Sequence, residues 1–224
     1  MPDPMKHDRT RADFRRHICG LGLDEFEVTT MNGLGRFNAT LTTRAGLLQN
    51  VSYYIRLNSQ GVQICIDGPE FADHDLIRLA SSGRYRFDAM AAAGFEPAVI
   101  IQSASDRYEA WIRLGRPASS RVRGMVCDHL CEAYGLDNDG EGLIAGFRNR
   151  ARKARFHRGH EYVSVLSAPG RPASAGPEMV LYAEARLAEG GSQATLCQEP
   201  GGIAEDRLDR GSCDLCAPMT AARA

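Results

Sequence analysis

The apolar runs Ala98–Ile101 and Tyr108–Leu114 are separated by little more than the polar turn Ser103 to Arg107. A connection that short joins only antiparallel neighbours, because a parallel crossover consumes a dozen or more residues. This hairpin is the frame that the other segments must fit. Upstream, Glu25 to Thr30 alternates as a strand does, and Val62–Ile66 and Leu76–Leu79 read as strands separated by a Gly-Pro loop. Helical patterns lie around them. From Thr10 to Leu23, Phe14, Ile18 and Leu21 recur at helical spacing until Gly20 and Gly22 stop the run. Further helices are predicted from about Arg44 to Asn58, from Arg84 to Ala93 before Gly94, and from Pro117 to about Tyr134. The last of these puts Val122, Met125, Val126, Leu130 and Ala133 on one face. A strand over Glu161 to Leu166 and a helix from about Pro177 to Ala188 complete an α+β layout with helices covering one face of hairpin-connected strands.

With 43% apolar and 25% charged residues and a formal net charge of −1, the 224-residue chain has the composition of an ordinary globular protein. No run of about 18 apolar residues exists, and Met1 to Thr10 has no apolar stretch, so the expectations are a cytoplasmic location and no membrane partner. The seven cysteines, an odd number, then read as free thiols rather than a disulfide framework. Cys127 and Cys131 fall on one helical face and suit an apolar role, and Cys213 with Cys216 supplies only half of a zinc site. The sequence has no GxxxxGK[ST], GxSxG or HExxH, which removes the motifs of phosphate-loop NTPases, serine hydrolases and zincins. From Gly190 onward, Gly, Pro, acids and small residues predict a flexible tail.

Two segments could carry chemistry. The loop Gly135–Gly142 brings Asp137, Asp139 and Glu141 together, the residue type that holds Mg²⁺ during nucleotide polymerisation, although such loops also serve as solubilising turns. Immediately after it, Arg148, Arg150, Arg152, Lys153, Arg155 and Arg158 follow one another with no acid between Gly142 and His160. Their charges can neutralise phosphates, and Phe147 and Phe156 could stack on bases. Asn149 lies within the same run. Arginine is favoured throughout, with Lys6 and Lys153 the only lysines among 27 basic residues, so a cationic run can also be a solvated face. Asp67 and Asp73 flank the Gly68-Pro69 turn, where Asp is a common turn former. His157 and His160 have a spacing compatible with metal ligation, but sit among cations.

In order and spacing these pieces resemble the RepB-type primases of mobilisable IncQ-like plasmids, a branch of the archaeo-eukaryotic primase superfamily also found fused to relaxases. The resemblance begins with Met5-Lys-His-Asp-Arg-Thr10 and continues through Ile55-Arg-Leu-Asn-Ser-Gln-Gly61, similar to the family's RxNAQG, before the strand Ile64–Asp67. Gly94-Phe-Glu-Pro-Ala-Val-Ile-Ile101 with Tyr108-Glu-Ala-Trp-Ile-Arg-Leu114 resembles G-x-x-P-A-x-x-x-E-T-S followed by Y-Q-A-W-V-K-V. Ala145-Gly-Phe-Arg-Asn-Arg150 resembles AGFTNRK, and Ser174–Pro177 also fits, so the likeness runs to about Val180.

The resemblance implies a primase-type α+β core over residues 1–180, with an antiparallel or mixed sheet, an RRM-like half and helices packed on it. A C-terminal helix and tail would follow over 181–224. It implies primer synthesis on single-stranded plasmid DNA from nucleoside triphosphates with Mg²⁺ or Mn²⁺, alongside a relaxase or helicase. The family strand matching Leu76–Leu79 ends in two metal-holding aspartates, yet an ungapped register puts Ala80 and Ser81 there. Asp137 matches the third acid and is the expected catalytic and metal-binding residue; part of its loop is absent. Gln102-Ser103-Ala104 stands where the family has Glu-Thr-Ser, and Leu143-Ile144 precedes Ala145 where an arginine is expected. Arg148, Asn149, Arg150, Arg152, Lys153 and Arg155 are the expected nucleic-acid contacts. Three readings follow: a primase with acids supplied from elsewhere, such as Asp67, Asp75 and Asp137; a primase-derived nucleic-acid-binding protein without catalysis; or a degenerate relic. Tyr108 and Trp111, an odd number apart, are expected on opposite sides of their strand.

Overall fold

The structure, a computed structural model, describes residues 4–32, 37–149 and 162–195. Chain order is α1 (Pro4–Leu21), β1 (Glu25–Met31), β2 (Phe37–Thr43), α2 (Arg44–Gln49), α3 (Val51–Ser59), β3 (Gln63–Asp67), β4 (His74–Ser81) and α4 (Tyr85–Ala92). Then come β5 (Val99–Ala104), β6 (Arg107–Ala118), α5 (Ser120–Tyr134), β7 (Ser164–Ser167) and α6 (Gly176–Thr195). The strands form two antiparallel sheets, ordered β2-β1-β3 and β4-β6-β5-β7. The predicted β5–β6 hairpin lies at the centre of the larger one, with Val99 opposite Trp111 and Ile101 opposite Glu109.

Both faces of the larger sheet are covered, a correction to the one-sided layering that the sequence suggests. Because side chains alternate along a strand, Ile77, Leu79, Ala110, Ile112 and Leu114 join Phe87, Met90, Val126, Leu130 and Val180 of α4, α5 and α6 in one core. Leu76, Val99, Ile101 and Trp111 point the other way and pack with Phe14 and Ile18 of α1 and Phe26, Val28 and Ile66 of the smaller sheet. Tyr108 borders the first core and the fully buried Trp111 belongs to the second, as their spacing predicts. That second core ties the two sheets together, and burying each large apolar side chain contributes roughly 1.5–3 kcal/mol.

Several boundaries differ from expectation. The predicted helix 44–58 is two helices that meet at Asn50, the C-cap of α2 and N-cap of α3. Pro117 closes β6 instead of opening α5, whose N-cap is Ser119; its side chain accepts from the Val122 amide. Gly135 then ends α5 in a left-handed conformation, φ 62°, which a residue without Cβ adopts freely. The helix predicted to stop near Ala188 continues through Gly190 and Gly191 to Thr195, and it spans residue 180. The rest of the predicted tail, with Cys213 and Cys216, lies outside the described residues. Among the described residues no helix is long and apolar enough to cross a membrane.

Candidate functional site

The chain after α5 threads between the sheets and builds the site. Asp137 pairs antiparallel with Ala80 at the end of β4, Leu143 pairs with Cys65 on β3, and Arg148 pairs with Tyr162. The acidic loop is therefore clamped at both ends by edge strands. Beside it opens a cleft of about 670 Å³, lined among others by Glu27, Asp67, His74, Arg78, Cys127 and Glu141.

The acids of the loop do not converge. The Asp137 side chain is exposed, with buried Ala80 beside it. The Ser81 hydroxyl is taken up locally, accepting from the Gly83 amide at 3.1 Å and donating to its carbonyl at 3.0 Å. Asp139 pairs with Arg107 at 2.7 Å. Asp67 Oδ1 accepts from the Gly68 amide, as its turn position predicts, but its other oxygen pairs with Arg78 at 2.5 Å. Asp75 pairs with Arg113 at 3.1 Å. It stands five residues before Ala80 on the same strand, roughly 16 Å away at the rise of an extended chain. The alternative set Asp67, Asp75 and Asp137 is thus spread over different partners. Among the described residues no three His, Cys, Asp or Glu side chains form a group that could hold one metal ion.

The sequence gives no sign of two charged residues next to this cleft, half-buried Arg78 and buried Glu109. Glu109 lies opposite Ala80, and Arg78 opposite Trp111, all on one face of the sheet. Glu109 is 0% exposed and accepts from the Gly142 amide at 2.9 Å. Burial raises its carboxyl above the ordinary carboxylate range, opposed by the neighbouring Arg78 guanidinium and the Gly142 amide. The loop closes tightly over Arg78: a Cβ at Gly142 would collide with Arg78 Nη1, and one at Gly140 would stand 3.1 Å from Arg78 Nε. Alternation rules detect apolar faces, so a carboxyl and a guanidinium on the same face of neighbouring strands leave no local signal.

The thiols of the cleft are inert. Burial pushes Cys65 and Cys127 up to about 12, so neither is a nucleophile near neutral pH. His74 is buried and its Nδ1 accepts from the Leu76 amide at 3.1 Å. Burial, then the charge of Arg123, lowers it to about 4.

At the other end of the loop the basic segment is rooted in the fold. Phe147 is not available to bases: it is 2% exposed and packs edge-on against Phe14, with ring centroids 5.6 Å apart. Buried Asn58 of α3 holds the next peptide unit, accepting from the Arg148 amide at 2.8 Å and donating to its carbonyl at 3.1 Å. The Arg148 guanidinium lies 5.3 Å from the Tyr162 ring centroid and donates to the Tyr162 hydroxyl. Asn149 donates to the Ser103 carbonyl at 2.9 Å, which ties the segment to β5. Arg150, Arg152, Lys153, Arg155, Phe156, His157 and His160 lie outside the described residues. The structure also shows exposed Arg56 near exposed Tyr53 on α3, 5.8 Å from the ring centroid, and exposed Arg11 of α1 donating to Ser52 at 3.0 Å. Tyr53 and Arg56, three apart in a predicted helix, were the available signal for this face.

The sequence model of a family described as the RepB DNA-primase N-terminal domain matches residues 36–178. Mobilization protein A of Escherichia coli is 29% identical over 187 residues, which is 80% of this chain and 26% of that protein. The chain therefore spans about a quarter of that relative's length. The solved catalytic domain of primase RepB′ in complex with initiator DNA is 27% identical with a TM-score of 0.74, covering 86% of this chain and all of that one. A structure of primase RepB′ is 25% identical with a TM-score of 0.76, over 85% of this chain and 67% of that one. The AEP domain of the cyanophage S-2L primase-polymerase, 15% identical, covers 76% of this chain and 96% of its own with a TM-score of 0.54, and shares the fold.

Proposed function

Because the chain belongs to the RepB DNA-primase N-terminal domain family, we propose that it binds single-stranded DNA in plasmid replication and has set aside metal-dependent primer synthesis. Binding rests on the cationic segment that begins at Arg148 and Asn149 and continues through Arg150, Arg152, Lys153 and Arg155. Arginines grip successive phosphates, and exposed rings such as Tyr53 give bases a stacking surface. A relative solved with initiator DNA supports this reading.

The antiparallel pairing of Ala80 with Asp137 carries the second half of the proposal. Primer synthesis uses Mg²⁺ or Mn²⁺ to join the nucleoside triphosphate to the attacking hydroxyl, and such ions need several hard oxygen ligands at 2.0–2.6 Å. Here the one exposed carboxylate stands beside the Ala80 methyl group, and the Ser81 hydroxyl is engaged with Gly83, so the donor set does not fit two ions. We assign any remaining catalytic or metal-binding part to Asp137, which stands beside Ala80.

The test is an assay of labelled single-stranded oligonucleotide binding as a function of salt, run beside incorporation of labelled nucleoside triphosphate with Mg²⁺ and with Mn²⁺. Steeply salt-dependent binding without incorporation supports the proposal. Incorporation abolished by Asp137→Ala would replace it with a working primase.

A further inference from the structure

Arg78 occupies an unusual place. Its side chain is 19% exposed and points to the same side of β4 as Ala80, two residues on. Nη1 lies 2.5 Å from Asp67 Oδ2 on β3, which bridges the cleft between the sheets. Nε is buried and, like Glu109 Oε1, has no hydrogen bond among the described residues. The backbone at Gly140 and Gly142 packs against the guanidinium so closely that a side chain at Gly142 would displace it. The other arginine of the cleft, Arg123, is committed to the Ala72 and Ala118 carbonyls. Arg78 therefore pairs with half-exposed Asp67 across the cleft and also acts through its charge on the buried carboxyl of Glu109.

We infer that Arg78 has taken over the charge-balancing part that divalent ions play in such clefts, and that its guanidinium keeps those ions out. A guanidinium donates five N–H groups and has no lone pair to offer a metal. It remains charged at every accessible pH. A divalent ion entering beside it would meet repulsion in a poorly screened niche, where charge–charge energies are several times those in water. The fit of the Gly140–Gly142 loop around the side chain makes this a built feature of the cleft and not a surface ion pair. The inference deepens the functional proposal above: if the cleft keeps its form without metal, the nucleic acid is held without a metal bridge.

The test uses the full chain and Mn²⁺ as the probe, with free Mn²⁺ followed by electron paramagnetic resonance. Two variants are compared, Ala80→Asp with Ser81→Asp, and the same pair combined with Arg78→Leu. Far-UV circular dichroism checks each fold. The expected result is that restoring the acids alone gives little Mn²⁺ binding, while removing Arg78 as well tightens it by at least about tenfold. Equal affinities in the two variants, or no binding in the triple variant, would overturn the inference. If the triple variant does not fold, the unmodified chain decides: its melting temperature is expected to be the same in EDTA and in excess Mn²⁺, because a ligand that does not bind the native state cannot stabilise it. A rise with Mn²⁺ that EDTA reverses and Asp67→Asn removes would overturn the inference. Oligonucleotide binding is measured on the same samples in EDTA. Loss of binding by the unmodified chain sinks the nucleic-acid proposal, whereas the Mn²⁺ outcome bears on Arg78.

Discussion

Ala80 and Asp137 exchange both backbone hydrogen bonds, the Ala80 amide donating at 2.7 Å and the Asp137 amide at 2.9 Å. The pairing fixes which residue of β4 faces the loop, independently of any sequence register. It places a methyl group beside the acid that a metal-dependent site would need supported by others. In the cleft beside it Arg78 pairs with Asp67, and its charge acts on the buried carboxyl of Glu109.

Breaking that arrangement from one side is expected to be costly. Arg78→Ala removes the cation that pairs with Asp67 and acts on the buried Glu109 carboxyl, and is expected to cost roughly 1–3 kcal/mol, the range for a buried polar group that loses its compensation. Combining Arg78→Leu with Glu109→Gln removes both charges and should recover most of the loss. Urea denaturation of the two variants checks the prediction; equal destabilisation would contradict it.

Stability should fall as pH drops below neutrality. His17 is fully buried, its Nδ1 accepts from the Ala145 amide at 3.1 Å, and burial lowers it to about 3. Burial and Arg123 lower His74 to about 4. Both are neutral in the folded chain where the unfolded chain binds protons, so their contribution is complete above the ordinary histidine value of 6.5 and is lost as pH falls toward those lowered values. Between roughly pH 4 and 6 the two together give a slope of up to about 2.7 kcal/mol per pH unit. Glu109 works in the opposite sense, since its raised folded value makes ionisation on rising pH unfavourable. Denaturation midpoints at pH 7 and pH 5 check the sign, and His17→Gln with His74→Gln should flatten the dependence.

Nucleic-acid affinity should respond to the basic segment and to α3. Arg150→Ala with Lys153→Ala is expected to weaken binding across all single-stranded sequences and reduce the salt slope by about 1.4, near 0.7 for each lost phosphate contact. Arg56→Ala should reduce it by about half as much. Arg116→Ala, at an exposed ion pair with Glu184 on α6, serves as the control without effect. Fluorescence anisotropy titrations at several salt concentrations measure all three.

Thiol reactivity should separate the cysteines by burial. Exposed Cys19 is expected to alkylate quickly at pH 8, while Cys65 and Cys127, held at about 12, lag far behind in the folded chain. Peptide-resolved mass spectrometry over a time course reads the order, and comparable rates would contradict it.

Much of the fold was legible because apolar periodicity and short turns speak for themselves. The β5–β6 hairpin, the helix from Phe14 to Leu21 and the opposite facing of Tyr108 and Trp111 follow from spacing alone. β2 did not, because Phe37–Thr43 is an edge strand rich in Thr and Asn whose Leu41 remains exposed. Phe147 resembles a stacking ring in sequence because it neighbours arginines, yet tertiary packing against Phe14 decides its place. Matching β4 to the family identified Ala80 and Ser81, and the structure sets Asp137 against Ala80. The Arg78, Asp67 and Glu109 unit was beyond reach: it joins three strands, and each member alone looks like a surface charge.

The most direct test of the account is nucleotide incorporation on a bound single-stranded template with Mn²⁺ supplied in excess. The chain is expected to hold the template and to add no labelled nucleotide. Metal-dependent primer synthesis that disappears with Asp137→Ala would contradict it.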